Sequence, residues 1–589
     1  MKRLGCALLA LGAVFACGKR ETTYQGDPPG FSSDAPDSSA PVTPPTTCEG
    51  TRRCSRDFRK VVDGCDDSIV LEECPADQGC GQGQCVPACA AAADSTMGCE
   101  FVALPPPREF LFVGSCFAAV LANTWGIPAR IEAFYGNDAL DVKAATRIVH
   151  TDGQTTTYEP FDGELKPGEL AAVFLSEDPT GAFSVRCPVG TSAAIRKDTA
   201  ANGNRRSSVF RITTTAPVSA YSFYPFGGGN DGNATATLLV PRASWKTDYL
   251  VTSAWHVRHY GINSIYYPTM HLVAAEDDTE ITLLGSVNIQ GGGEIPGAPK
   301  GTPTIYRLGR GEQIQFSQLE DLLGTRVGAN KPINVWVGHE GMAIPEDGTN
   351  AGDSSQTALF PVRSWGTEYA VVPHRSRRPK DLPEDYLHRI TGAVDDTVLT
   401  YDPIAPVGAP TTISAGESVT FWTQEPFVVN SQDREHPFAA YSYMTGAQYA
   451  VPGGDNGDPE FMTVIPTEQY LGRYVFWIDP IYANAHLVVV RVRDDGKDFK
   501  PVTLDCAGEL DDWKPIGTSG KYEYTRPWIK NKGTPQKYAN GTCNGGRREM
   551  TSDGPFAVTV WSTGSFSSYG YPGGAGLREL NAVESINIK

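Results

Sequence analysis

The chain has 589 residues, 40% of them hydrophobic, with 62 glycines and 44 prolines; one core rarely serves that length, and the turn-residue content favours β structure over helix. Its formal charge is −18, and setting aside Lys2 and Arg3 of the opening segment leaves 48 basic against 68 acidic residues, or −20. A surface that acidic excludes nucleic acid and anionic membrane surfaces as natural partners.

The opening "MKRLGCALLALGAVFACGKR" joins a basic start to an apolar run too short to span a bilayer, followed by a small residue and a cysteine. "VFAC" resembles a bacterial lipobox. It predicts a signal peptide over residues 1–16, cleavage before Cys17 and a lipid on that sulfur; the alternative is an ordinary secretory signal with Cys17 in a disulfide. Gly18 beside the anchor points to an outer-membrane lipoprotein exposed at the cell surface, with the periplasmic face as the other possible side. Membrane contact is then through the acyl chains alone. Residues 17–47 follow as the anchor and a Pro/Ser/Thr-rich tether with almost nothing apolar to bury.

Residues 48–99 read as a small cysteine-rich module. Cys48, Cys54, Cys65, Cys74, Cys80 and Cys85 crowd a segment with few large hydrophobes, so crosslinks stand in for a core. A metal knuckle is disfavoured, because C-x2-C pairs and histidines are missing. Apart from Cys6 and Cys17 the cysteines are even in number, which favours a full disulfide set in an exported chain. Cys89 with Cys99, Cys116 with Cys187 and Cys506 with Cys543 are the expected further pairs, although spacing does not fix connectivity.

Residues 100–589 carry a repeat. "TLLVPRASWKTDYLV" from Thr237 returns as "TALFPVRSWGTEYAV" from Thr357 and, more loosely, as "FMTVIPTEQYLGRYVF" from Phe461. Pro241, Trp245 and Tyr249 thus match Pro361, Trp365 and Tyr369, and then Pro466, Tyr470 and Tyr474. A frayed copy, "FVALPPPREFLFV", starts at Phe101. Each copy is followed by an apolar hairpin (with Asp277/Asp278 and Asp395/Asp396 at two turns), a Gly-Glu turn (Gly168, Gly311, Gly416), and a proline-led strand such as "KPINVWVG". The prolines are expected at first strand positions, where no ladder N–H is needed. Tryptophans and tyrosines at fixed offsets from strand-ending prolines are read as core packing. The fold class is therefore all-β, with four antiparallel units of about 105–120 residues. Long loops recur at one point of each unit, which slightly favours a propeller-like closed array over tandem β-sandwiches.

The stretch from "FRITTTAPVSAYSFYPFGGGNDGNATATLLVPRASWKTDYLV" to the late "YGYPGG" resembles the IgGFc-binding protein N-terminal domain family, in a bacterial, myxobacterial-type form. The resemblance covers about residues 100–580 and implies a secreted binding domain. In animals the namesake binds the Fc part of immunoglobulin G and continues into cysteine-rich von Willebrand D-type repeats; this chain has none. The family supplies no catalytic residues.

No nucleophile elbow, Walker loop, dinucleotide fingerprint or zincin motif occurs, so no catalytic residue is assigned. His256 and His259 lie three apart, on opposite faces of a strand. "GGDNGDPE" places Asp455, Asn456, Asp458 and Glu460 as weak calcium candidates, but the same residues suit any tight turn. No other metal or cofactor is expected. "PHRSRRPK", from Pro373, is a basic island read as a solvated loop. Together these features predict a non-enzymatic surface binding or adhesion protein for an extracellular protein or glycan. The alternatives are a surface hydrolase of glycans or peptides and a structural envelope or matrix component.

Overall fold

Each repeat is organised by one long strand that changes sheets half-way along. In a computed structural model these strands are Phe210–Tyr224, Arg326–Met342 and Gly546–Gly564; in the third unit the strand is broken into Phe427–Ser431 and Phe438–Met444. The structure describes residues 51–584 except 67, 108–112, 153–154, 182, 230–233, 257, 261–263, 346–351 and 494–495. The signal segment, the tether, Cys17 and Cys48 lie outside the described residues. All-β architecture holds, with 51% strand and 5% helix.

The second unit shows the pattern. Arg326–Ala329 pairs with Lys246–Leu250 and with Thr279–Leu284, whereas Ile333–His339 pairs with Pro268–Ala274, and Trp336–Met342 with Asp353–Ala358. The third unit separates fully into two four-stranded sheets. The other three units each form one sheet joined through the long strand, so the all-β class holds and a propeller is not confirmed.

The repeated prolines mark the sheet switch, which also corrects their expected place. Pro217, Pro332 and Pro555 lie inside continuous strands where the register shifts, and Pro437 lies in the break of the third. A residue with no N–H costs least where the ladder is already interrupted by a bulge. The carbonyl just after each switch then needs a donor. Tyr249 supplies it to Ile333 at 2.8 Å, Tyr369 to Phe438 at 2.6 Å and Tyr474 to Phe556 at 2.6 Å. Trp245 and Trp365, each 3% exposed, donate Nε1 to Val240 and Phe360 across a 3-10 turn. These rings are core, as their spacing implied.

The polar turns repeat equally closely. Gly168, Gly311 and Gly416 take positive φ, and the glutamate after each accepts the backbone N–H three residues earlier. Asp278 and Asp396 are left-handed turn residues; Asp277 and Asp395 accept backbone N–H groups from the Gly-Glu turns.

The four units close into a ring. The strands that follow the long ones, Thr235–Leu238, Asp353–Ala358, Glu460–Thr463 and Ser567–Pro572, touch one another in cyclic order around a common axis. Closure between first and fourth units is apolar and aromatic. Phe223 packs on Tyr569 and Tyr571, Phe226 on Trp477, and the Tyr221 hydroxyl donates to Val475 and Gly573 carbonyls.

The first unit's outer strand is Met97–Ala103, so the expected module edge at residue 99 falls inside a strand. It pairs with Phe210–Ser219 as the other units' outer strands pair with theirs, so the first copy begins ahead of the prolines at 105–107, and a short 3-10 turn, Ala92–Asp94, precedes it. The cysteine-rich segment packs on the ring: Arg59 lies 4.7 Å from the Trp125 ring, and Ser244 donates to Ala93 and Ser95 carbonyls.

Disulfides join Cys54–Cys80, Cys74–Cys85, Cys89–Cys99, Cys116–Cys187 and Cys506–Cys543. Cys65 is also disulfide-bonded; with every other described cysteine paired, its partner lies outside the described residues.

Candidate functional site

The axial strands run in one direction, each from the hairpin turn of its unit to a 3-10 turn or its equivalent, so the ring has two unlike ends. At the 3-10 end the chain after Pro572 fills the axis. Thr96 and Ala575 exchange hydrogen bonds, Leu577 N–H donates to Asp94, Ser364 donates to Leu577, and the Gln469 amide donates to Arg578. Ala575 and Leu577 are fully buried there.

At the opposite end the hairpin turns meet. Phe566 N–H donates to Asp455 and Gly457 N–H to Gly564, Ser567 donates to Gly228, and Gly446 N–H to Ile344. Recurrence of long loops at one point of each unit is the sequence signal for this gathering. The loops between the outer strand and the next strand, residues 372–385 and 479–483 among them, emerge at the same end.

Beneath these loops the axis carries acid. Glu460 leads its strand and is 1% exposed; Oε1 accepts from Ser355 of the second unit at 2.5 Å and Oε2 from Thr235 of the first at 3.0 Å. One carboxyl group therefore ties three units together. Burial pushes its pKa up to about 8, against the pull of its hydrogen-bond donors. Asp458, 2% exposed, is pushed up to about 7 by the same cause, with Arg377 and Arg258 opposing, and its Oδ1 has no hydrogen-bond partner among the described residues. Asp479 accepts from Gly227 and Ile481 N–H groups at 3.0 Å, and burial raises its pKa too.

The four calcium candidates do not converge. Asp455 accepts from the exposed Ser565, Asn456 from the Asn484 amide at 3.0 Å, while Asp458 is buried and feels the charges of Arg377 and Arg258, and Glu460 turns inward to Thr235 and Ser355. Among the described residues no three His, Cys, Asp or Glu side chains group as a metal ion would require. Sequence reasoning placed Glu460 on a turn; the run "EFMT" is a strand, and an acid opening an apolar strand was the available signal that it points inward.

The basic island is folded in at the seam between third and fourth units. Arg377, with its side chain 3% exposed, grips Glu384, 2% exposed, through Nε and Nη2, and donates Nη1 to the Thr445 carbonyl at 2.7 Å. Burial opposes ionisation of Glu384, but Arg377 and His374 outweigh it and its pKa falls. His374 is itself pushed down to about 4, chiefly by burial, and so stays neutral 3.9 Å from that carboxylate. Arg375 lies 4.8 Å from the Trp528 ring. Only Arg378, Pro379 and Lys380 of the island are fully exposed.

Among the described residues the histidines make no shared metal centre. The His256 carbonyl accepts from the buried His339, and the His259 side chain lies outside the described part. Thr269, His271 and Gln313 form a hydroxyl–imidazole–amide chain with links of 3.2 and 3.0 Å. All three are at most 2% exposed, so a substrate could not reach the hydroxyl. It is a satisfied core network.

A family model described as IgGFc binding protein matches residues 235–562, more than half of the chain. The chain belongs to that family. No curated protein and no solved structure matches it. The IgGFc-binding match begins on Thr235, the first residue of an axial strand, and ends on Ser562 in the last long strand. It covers the second to fourth units, whose Pro, Trp/Tyr and Tyr positions repeat most closely.

Proposed function

We propose that this IgGFc-binding family chain is a non-catalytic binding module for a protein partner, held at a bacterial cell surface by a lipid on Cys17 and engaging its partner with the loop end of the ring. One observation carries this reading. The repeats spend their recurring aromatic and proline residues on burial, the chain's own tail fills one end of the axis, and the variable loops collect at the other. Binding residues on loops over a rigid scaffold keep affinity without a large ordering cost. Residues 17–47 would lift the ring from the membrane on an extended tether. Adhesion follows if the partner sits on another cell or in the matrix.

The test uses the full-length protein in detergent. Retention on extracellular protein material without cleavage of protein or polysaccharide is expected; turnover of either would replace this reading with that of a surface hydrolase. Metabolic labelling with a fatty acid should mark the protein and disappear in Cys17→Ala, and a label that persists would rule out Cys17 as the anchor. External protease should release the ring from intact cells, and full protection would place it in the periplasm.

A further inference from the structure

A solvated aromatic platform sits beside the loop end of the third unit. Trp422 and Tyr449 stand 36% and 39% exposed, with ring centroids 5.6 Å apart and planes at 42°. They come from different elements: Trp422 lies on the strand Ser418–Thr423, and Tyr449 lies on the one-turn helix Ala447–Ala450 between the long and axial strands. Phe183 and Phe566 are the other exposed aromatics among the described residues, and Trp422 and Tyr449 differ in facing each other as a pair of rings. Polar groups border the rings. The Gln424 amide, two residues beyond Trp422, donates to Asp385 Oδ1 at 2.8 Å, which fixes both planar groups. Burial, and behind it the Asp385 carboxylate, makes the Tyr449 phenol harder to ionise.

Two tilted rings with a fixed acid and amide at the edge match one small ligand class. The C–H face of a pyranose is weakly electropositive and stacks on the electron-rich face of an aromatic ring. Paired hydroxyls at its edge can donate to a carboxylate while accepting from an amide N–H. A carboxylate at the rim repels acidic sugars, and the chain's charge of −18 does so at longer range. A protein partner would need a larger anchored surface than two rings offer.

We infer that Trp422 and Tyr449, with Gln424 and Asp385, form a subsite for a neutral hexose ring of an oligosaccharide. It rests on the reading of the loop end as the binding face, and adds that the partner is glycosylated there.

The experiment titrates the full-length protein with neutral hexaoses of glucose, mannose and galactose, read by tryptophan fluorescence and by saturation transfer to sugar protons. At least one hexaose should bind, and Trp422→Ala should weaken it by about tenfold or more, the scale of one lost stacking contact. Gln424→Ala, an exposed change that keeps both rings, should weaken it by a smaller factor, and the acidic hexamer of galacturonic acid should not bind. No binding of any neutral hexaose, or binding unchanged in both variants, overturns the subsite. If the chain still holds protein material while Trp422→Ala and enzymatic deglycosylation change nothing, the proposed function stands and this inference falls.

Discussion

The Tyr249 hydroxyl donates to the carbonyl of Ile333 at 2.8 Å, directly after the proline at which the second unit's long strand leaves one sheet for the other. The same bond recurs from Tyr369 to Phe438 and from Tyr474 to Phe556. The proline interrupts the ladder, and the tyrosine satisfies what the interruption exposes. Tyr249→Phe should therefore keep the fold and lower stability by about 1–3 kcal/mol, the penalty for a buried carbonyl left unpaired. Denaturant midpoints of the phenylalanine variants, taken at unchanged circular dichroism, measure this. A Tyr249→Phe midpoint equal to that of the parent would mean that the ring's apolar packing carries the whole contribution.

That relationship also shows what was legible in the sequence. The offsets from Pro241 to Trp245 and Tyr249 marked core aromatics, and they are buried. The alternating apolar strands, the Gly-Glu turns and the ring-end loops were equally readable, because each rests on local periodicity or turn chemistry. The sheet switch was not: a proline inside a continuous strand looks, from spacing alone, like a proline at its start. The first unit's outer strand was hidden because Phe101 stands where the later copies have tyrosine, and Trp245 has no counterpart ahead of it. Glu460 and Arg377 were misplaced for a shared reason. A charged side chain reads as exposed unless its partner is known: those of Glu460 lie far off in sequence, at Thr235 and Ser355, and those of Arg377 are Glu384, seven residues on, and Thr445 of the same unit, which its place in a basic run does not reveal.

Glu460 makes the ring pH-sensitive in a defined direction. Its carboxyl is raised to about 8 in the folded state, from an ordinary value near 4.5. Between those values the folded chain binds the proton more tightly than the unfolded chain, so this contribution is complete below about pH 4.5 and is lost as pH rises through 8. Asp458, raised to about 7, acts in the same sense. Buried histidines act oppositely at lower pH: His339 and His388 are held down to about 3, and their contribution disappears as pH falls below the ordinary histidine value. The informative quantity is the difference between parent and Glu460→Gln, whose amide cannot ionise. The variant should gain on the parent by on the order of a few kcal/mol from pH 5 to pH 9. Parallel stability–pH curves would show that Glu460 is ionised in the folded ring.

The crosslinks should differ in weight. Cys116–Cys187 closes a separation of 71 residues, whereas Cys89–Cys99 closes 10. Loop-closure entropy assigns about 4 kcal/mol to the first and about 3 to the second. Replacing Cys116 and Cys187 by serine should thus lower the unfolding midpoint more than replacing Cys89 and Cys99. The reverse order would mean that the Cys89–Cys99 bridge holds the packing of the cysteine-rich segment on the ring, a native-state effect outside the entropy argument.

The Arg377–Glu384 pair gives the sharpest expectation for the loop end of the third unit. Both side chains are almost wholly buried, and Arg377 also holds Thr445 through its carbonyl and its hydroxyl. Removing either partner strands the other charge in a low-dielectric site, which costs about 3–5 kcal/mol. Arg377→Met and Glu384→Gln should each be strongly destabilising, and the double variant should be less destabilised than the sum, because neither charge then remains buried alone. Part of the loss should persist in the double variant, since the Thr445 carbonyl loses its donor in either background. A double-mutant cycle by urea unfolding reads the coupling directly. Additive single effects would show that water already screens the pair.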